Sequence, residues 1–158
     1  MPRAASRNSF PAFLCGAALL AARIAYAAPA GADVFSGHCA VCHGPKAEGI
    51  PGSFPPLGPQ IKAFAALPAG REYLVMAVST GLIGSLSVAG ATFQGAMPPQ
   101  NMLSEAEVAA VLNYLASGLG KGKSGAHAFD GTEVTAVRAR NAGVTGPAAL
   151  ALRPALPD

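Results

Sequence analysis

The most regular hydrophobic pattern in the chain lies between residues 103 and 118. Val108, Val111, Leu112 and Leu115 recur at i, i+3, i+4 and i+7, the spacing of one face of an α-helix. Ser104-Glu105-Ala106-Glu107 opens this stretch as a capping box, with Leu103 and Val108 placed as a hydrophobic staple, and Gly118 ends it. The pattern predicts an amphipathic core helix, with Tyr114 flanking the stripe. A shorter apolar face over 71–80, built from Tyr73, Leu74, Ala77 and Val78 and ended by Gly81, predicts a second helix. Met76 falls on it and reads as core filling.

Elsewhere the periodicity fades. Residues 44–70 hold six prolines, at 45, 51, 55, 56, 59 and 68, which predicts a constrained loop with a turn of helix near 60–66. Residues 81–84 (Gly-Leu-Ile-Gly) are expected to turn the chain, with Leu86, Val88 and Phe93 in a loop or weak hairpin. Residues 120–125 (GKGKSG) form a flexible linker, and beyond it Thr132 and Thr145 are placed to cap short helices over 133–141 and 147–152. Val134, Val137, Leu150 and Leu152 require that this tail pack either on its own domain or on a partner.

The chemistry concentrates in Cys39-Ala40-Val41-Cys42-His43. C-x-x-C-H is the attachment signature of a c-type haem. On a helix, i, i+3 and i+4 share a face, so Cys39 and Cys42 can each form a thioether to a haem edge while His43 turns its imidazole to the iron. Asp33 is placed to cap this helix, and Phe35, four residues before Cys39, is assigned to the core on the same face. Zinc would need four protein ligands. The remaining histidines, His38 and His127, with no cysteine after Cys42, do not assemble that set. A thiol oxidoreductase using Cys39 and Cys42 without haem would want a strand before the motif, and none is legible. A large planar cofactor accounts for the long proline-rich loop, with Phe54, Leu57 and Phe64 as walls and a carbonyl at Pro55 or Pro56 as partner for the second ring nitrogen of His43.

Composition narrows the setting. Residues 1–27 read as an export signal: Arg3 and Arg7, an apolar stretch from Phe10 to Ala22, and small residues at Ala25-Tyr26-Ala27. Cys15 lies inside it and is expected to be discarded, and no membrane span is expected in the mature chain. The formal charge of +3 comes from Arg3, Arg7 and Arg23; the rest of the chain holds eight Lys/Arg against eight Asp/Glu. That balance gives no basis for binding nucleic acid or an anionic surface. Charged residues are 12% of the chain, about half the ~25% usual in soluble domains, so a docking patch should be largely apolar.

Met97-Pro98-Pro99 is the second chemical signal. Proline pushes its predecessor into extended geometry, so Met97 cannot lie inside a helix and should project from a rigid loop. A thioether there suits the second axial position of a haem iron. Met102 is the fallback.

Together, residues 28–119 resemble the class I c-type cytochrome domain, through C-A-V-C-H at 39–43, the proline-rich loop, Met97-Pro98 and the last helix with Val111 and Tyr114. The resemblance implies a mostly α, small class I cytochrome c fold wrapped around one covalent haem c, with a C-terminal extension over 120–158. It implies haem attachment at Cys39 and Cys42 and axial ligation by His43 and Met97. In that family a glycine and an aromatic on the first helix pack on an aliphatic and an aromatic on the last, the places of Gly31, Phe35, Val111 and Tyr114. The implied activity is that of a periplasmic single-electron carrier rather than an enzyme. A dehydrogenase would donate to it, and an oxidase or another cytochrome of the respiratory chain would accept from it. The alternative is a haem enzyme or gas sensor with an open or displaceable distal site.

Overall fold

Met1 and residues 29–123 and 127–156 are described in a computed structural model of the chain. The export signal expected over 1–27, its Cys15 included, and part of the 120–125 linker lie outside the described residues. The first helical stretch runs without a break through α1 (Gly31–Val34), a π-helical turn (Phe35–Cys39) and α2 (Ala40–His43). Asp33 does not cap it. Ala30 takes the N-cap position without a side-chain bond, and Asp33 sits in the first turn, where its charge meets the helix dipole instead.

The proline-rich segment then leads to α3 (Pro59–Ala65) and α4 (Pro68–Thr80). Each begins on proline, whose missing N–H is one a helix start leaves unbonded anyway; that is why α4 starts earlier than its apolar face at 71–80. The turn expected over residues 81–84 does not form as such, because Leu82–Gly84 are already in a strand. Gly81 alone makes the turn, and residues 82–97 form an antiparallel hairpin of β1 (Leu82–Val88) and β2 (Ala91–Met97). Ala89 and Gly90, with φ of 51° and 79°, form the two-residue connection, whose positive dihedrals match the twist of the strands. α5 (Glu105–Ala116) has the expected capping box, with Ser104 N–H donating to Glu107 Oε2 at 2.8 Å.

α5 is the element the others rest on. Val108 and Val111 are fully buried, with Leu112 and Ala116 beside them. α1 crosses it at Gly31, where an added Cβ would lie 2.7 Å from Tyr114 Cβ and would overlap the Ala110 carbonyl oxygen. Phe35 and Tyr114 meet with ring centroids 5.7 Å apart, so the contact expected between the first and last helices of the domain is made. On the other side Phe64 and Tyr73 pack edge to face at 5.3 Å.

The tail packs on its own chain. α6 (Gly131–Arg140) lies against α4 and α5, and α7 (Gly146–Ala151) against α4 and β1. Val134 and Val137 are buried to 0% and 1% exposure, worth about 1.5–3 kcal/mol each in apolar burial. Asp130 rather than Thr132 caps α6, its carboxylate accepting from Glu133 N–H at 2.8 Å. Thr145 holds the N-cap place of α7 without a side-chain bond. The tail's arginines turn toward the body: Arg138 bonds Glu105 and Ser79, and Arg140 bonds Glu72.

Candidate functional site

The π-helical turn decides how the C-x-x-C-H motif is presented. Ala40 N–H reaches back five residues to the Phe35 carbonyl, rather than four. The extra residue in this turn shifts Cys42 and His43, which follow it, away from the face that Phe35 turns to the core. Phe35 stays in the core at 2% exposure, while Cys39 and Cys42 are half-buried on the wall of a cavity of about 270 Å³. His43 completes that wall and is 7% exposed.

His43 Nδ1 lies 2.8 Å from the Pro55 carbonyl oxygen. A carbonyl can only accept, so Nδ1 carries the proton and Nε2 keeps its lone pair. This is the bond expected from Pro55 or Pro56, and Pro55 makes it. Burial pushes the His43 pKa below its ordinary value, and the Pro55 hydrogen bond opposes that push. The outcome is a neutral, oriented imidazole, the form a metal ion requires. The loop that supplies the carbonyl is itself braced, with Ile50 bridging to Phe54 and Leu57 N–H bonding the Ala47 carbonyl at 2.9 Å.

Burial, and next the charge of Cys42, push the Cys39 thiol up to about 11. A redox dithiol works through a lowered thiol pKa, so this environment argues against thiol exchange and is harmless to a thioether. Among the described residues no three of His, Cys, Asp and Glu come together as a metal-binding group. The zinc alternative has no ligand set there.

The rest of the wall is apolar. Phe54, Leu57 and Phe64 line it as expected, joined by Leu74, Ala77 and Leu112 from α4 and α5. Alternate residues of β1, namely Leu82, Gly84, Leu86 and Val88, line it from the hairpin. Met97 also faces it, and here the expected geometry changes. It is the last residue of β2, its Cα paired with that of Leu82, rather than part of a free loop. Proline at 98 still governs the position, because the missing N–H ends the ladder there. Gly81, at φ +71°, backs this segment: a Cβ would overlap the Met97 carbonyl oxygen and approach Pro99 N to 2.9 Å. Gln100 N–H then ties the strap to the Val78 carbonyl at 2.9 Å. Met102 is 68% exposed and does not line the cavity, and Met76 is core at 2% exposure.

Sequence reasoning missed two wall residues, Leu150 and Arg153, which reach the cavity from the C-terminal extension. Leu150 lies in α7 and Arg153 just past its end, and nothing in their sequence says what that end of the helix meets.

The wall fits a flat apolar cofactor bound on one side by thioethers and a histidine, with a thioether sulfur on a strand end of the same cavity. The comparisons agree. The Cytochrome c family profile matches residues 28–118. A cytochrome c-552 of Thermus thermophilus is 38% identical over 124 residues, covering 77% of this chain and 83% of that one. A second Thermus thermophilus cytochrome c-552 is 38% identical over 112 residues, covering 70% of this chain and 85% of its own length. With the motif, the cavity and the helix contact already in place, these matches show that the chain belongs to the cytochrome c family, as a class I c-type cytochrome that carries electrons on a covalently attached haem c.

Proposed function

We propose that this protein is a periplasmic single-electron carrier whose haem is attached at Cys39 and Cys42 and ligated axially by His43 and Met97. It would take electrons from a dehydrogenase and hand them to an oxidase or another cytochrome of the respiratory chain. The observation that carries the ligation is the pairing, in one apolar cavity, of a buried histidine with Nδ1 held by Pro55 and a methionine fixed at the end of β2. When bound, haem c supplies an iron that cycles between the ferric and ferrous states.

The chain's own groups do the rest. Pro55 holds the His43 tautomer, so Nε2 needs no proton release to ligate. The β1–β2 ladder and the Gly81 contact hold the Met97 backbone, so its sulfur has little freedom to leave. The apolar wall excludes water, which disfavours the more charged ferric state and, with a thioether ligand, raises the potential. A fixed ligand pair leaves no coordination place for a substrate, which supports outer-sphere transfer over enzyme or sensor chemistry. No helix among the described residues is long and apolar enough to cross a membrane. Val41, inside the motif and 80% exposed, offers partners an apolar contact beside the attachment site.

The test is the optical spectrum of the purified holoprotein, oxidised and reduced, beside Met97→Ala. The expected result is a low-spin c-type spectrum whose ferric methionine–iron charge-transfer band is present in the parent and absent in the variant. A high-spin resting spectrum that the substitution leaves unchanged would overturn the ligation.

A further inference from the structure

Arg153 lies two residues beyond α7, and its side chain reaches the cavity wall. The segment is seated closely. A Cβ on Gly84 of β1 would come within 2.9 Å of Leu150 Cδ2, and one on Gly146 within 2.9 Å of Ile83 Cγ1. Arg153 Nη2 donates to the Ser87 carbonyl at 3.1 Å, and its guanidinium carbon lies 5.2 Å from the Phe64 ring centroid. No Asp or Glu is among the described residues that line the cavity, so a permanent cation is set into an apolar wall without a carboxylate there. Arg153 is half-buried, so an anion held in the cavity would meet its charge with less screening by water than at an open surface. A guanidinium has five N–H donors in a planar fork suited to a carboxylate, and the Ser87 carbonyl and the Tyr73 hydroxyl beside it leave donors over.

Haem c carries two propionate carboxylates. We propose that Arg153 holds one of them, which makes the C-terminal extension part of the haem site and raises the reduction potential. Oxidation adds one positive charge at the iron, so a cation held beside the haem disfavours the ferric state, and a propionate left without that cation favours it. The inference rests on the haem occupying this cavity.

The experiment is a spectroelectrochemical titration of the holoprotein and its Arg153→Lys and Arg153→Met variants, with Ala149→Gly, buried in α7 and off the cavity wall, as a control that loosens the segment and keeps the charge. The expected result is a haem spectrum unchanged in all four proteins and a lower midpoint potential in Arg153→Met. The shift should correspond to about three- to tenfold in the ferric/ferrous ratio at fixed potential, tenfold being ~59 mV for one electron. Arg153→Lys should stay near the parent, and so should Ala149→Gly. An unmoved potential in Arg153→Met with its spectrum intact would overturn the proposal, leaving Arg153 as an anchor to Ser87. An equal fall in Ala149→Gly would overturn it too, by assigning the effect to a loosened segment rather than to the charge. If Arg153→Met does not fold, Arg153→Gln replaces it and is read the same way. A parent without a haem spectrum would instead refute the haem reading itself.

Discussion

Arg71 is the place to test whether the C-terminal extension is part of the fold. It is 8% exposed on α4, and its guanidinium joins three segments. Nε donates to Glu133 Oε1 of α6 at 2.6 Å, and Nη2 to the other oxygen of that carboxylate. Nη1 donates to the carbonyls of Ala65 at 3.2 Å and His127 at 3.0 Å, and the guanidinium carbon lies 3.8 Å from the Phe129 ring centroid. In Arg71→Met the side chain keeps its apolar stem but loses every one of these bonds. Breaking a buried pair by removing one partner costs about 3–5 kcal/mol. Glu133, with a side chain 24% exposed, can recover some hydration, so ~3 kcal/mol is the better expectation. For a chain of this size that is a fall of about 10 °C in Tm. The assay is thermal unfolding of the ferric holoprotein followed by far-UV circular dichroism, for Arg71→Met, Glu133→Gln and the double variant. A coupling of at least about 1.5 kcal/mol is expected from the cycle. The haem spectrum should not change, since Arg71 does not line the cavity. A coupling below about 0.5 kcal/mol, the range of exposed ion pairs, would refute the reasoning and make the extension a loosely held appendage.

Two further perturbations test the core and its cap. Gly31→Val should force α1 off α5, because even a Cβ would lie 2.7 Å from Tyr114 Cβ. The expected loss is about 1–3 kcal/mol by denaturant unfolding, and a variant as stable as the parent would mean that the helices do not cross there. Glu107 is held below the ordinary carboxylate value by the Ser104 hydroxyl first and then by the Ser104 N–H, and Glu105 by its own N–H and then by Arg138. A carboxyl with a lowered folded pKa contributes stability above its unfolded pKa and loses it as pH falls through the folded value. Glu107→Gln should therefore differ most from the parent near neutral pH, and the two Tm curves should converge in acid. Parallel curves down to the lowest pH would show that the cap does not titrate.

The parts of the molecule that were legible in advance are those where one residue type has few physical uses. C-x-x-C-H admits few chemistries, Ser104 and Glu107 form a local pair, and the α5 stripe repeats over about two turns. The His43–Pro55 bond followed from the need to satisfy the second nitrogen of a ligating ring. The extent of the hairpin was obscured because Gly84, Ser85, Ser87, Gln94 and Gly95 leave too little alternation along strands whose burial comes from one face of a cofactor cavity. The extension's docking rests on Val134 and Val137, two positions that cannot by themselves distinguish a neighbouring helix from a foreign partner. Its arginines gave no sign of their partners because the carboxylates they meet, Glu72 and Glu105, lie 68 and 33 residues away in sequence. Arg71 and Glu133, 62 residues apart, were hidden for the same reason.

The π-helical turn at Phe35–Cys39 makes one helix serve two masters out of phase. Each residue of a regular α-helix advances about 100° around the axis, so one residue absorbed in a wider turn offsets everything after it by about that angle. Upstream of the offset, Gly31 and Phe35 keep the register that α5 demands; downstream, Cys39, Cys42 and His43 take the register of the cavity. The two surfaces can thus drift independently, and substitutions that retune the helix crossing need not disturb the attachment geometry. Length is the variable they cannot share. Removing Gly37 would bring the two faces back into phase and swing the cysteines off the cavity wall while the Phe35–Tyr114 contact stayed closed, an error that no change of side chain along the helix could undo.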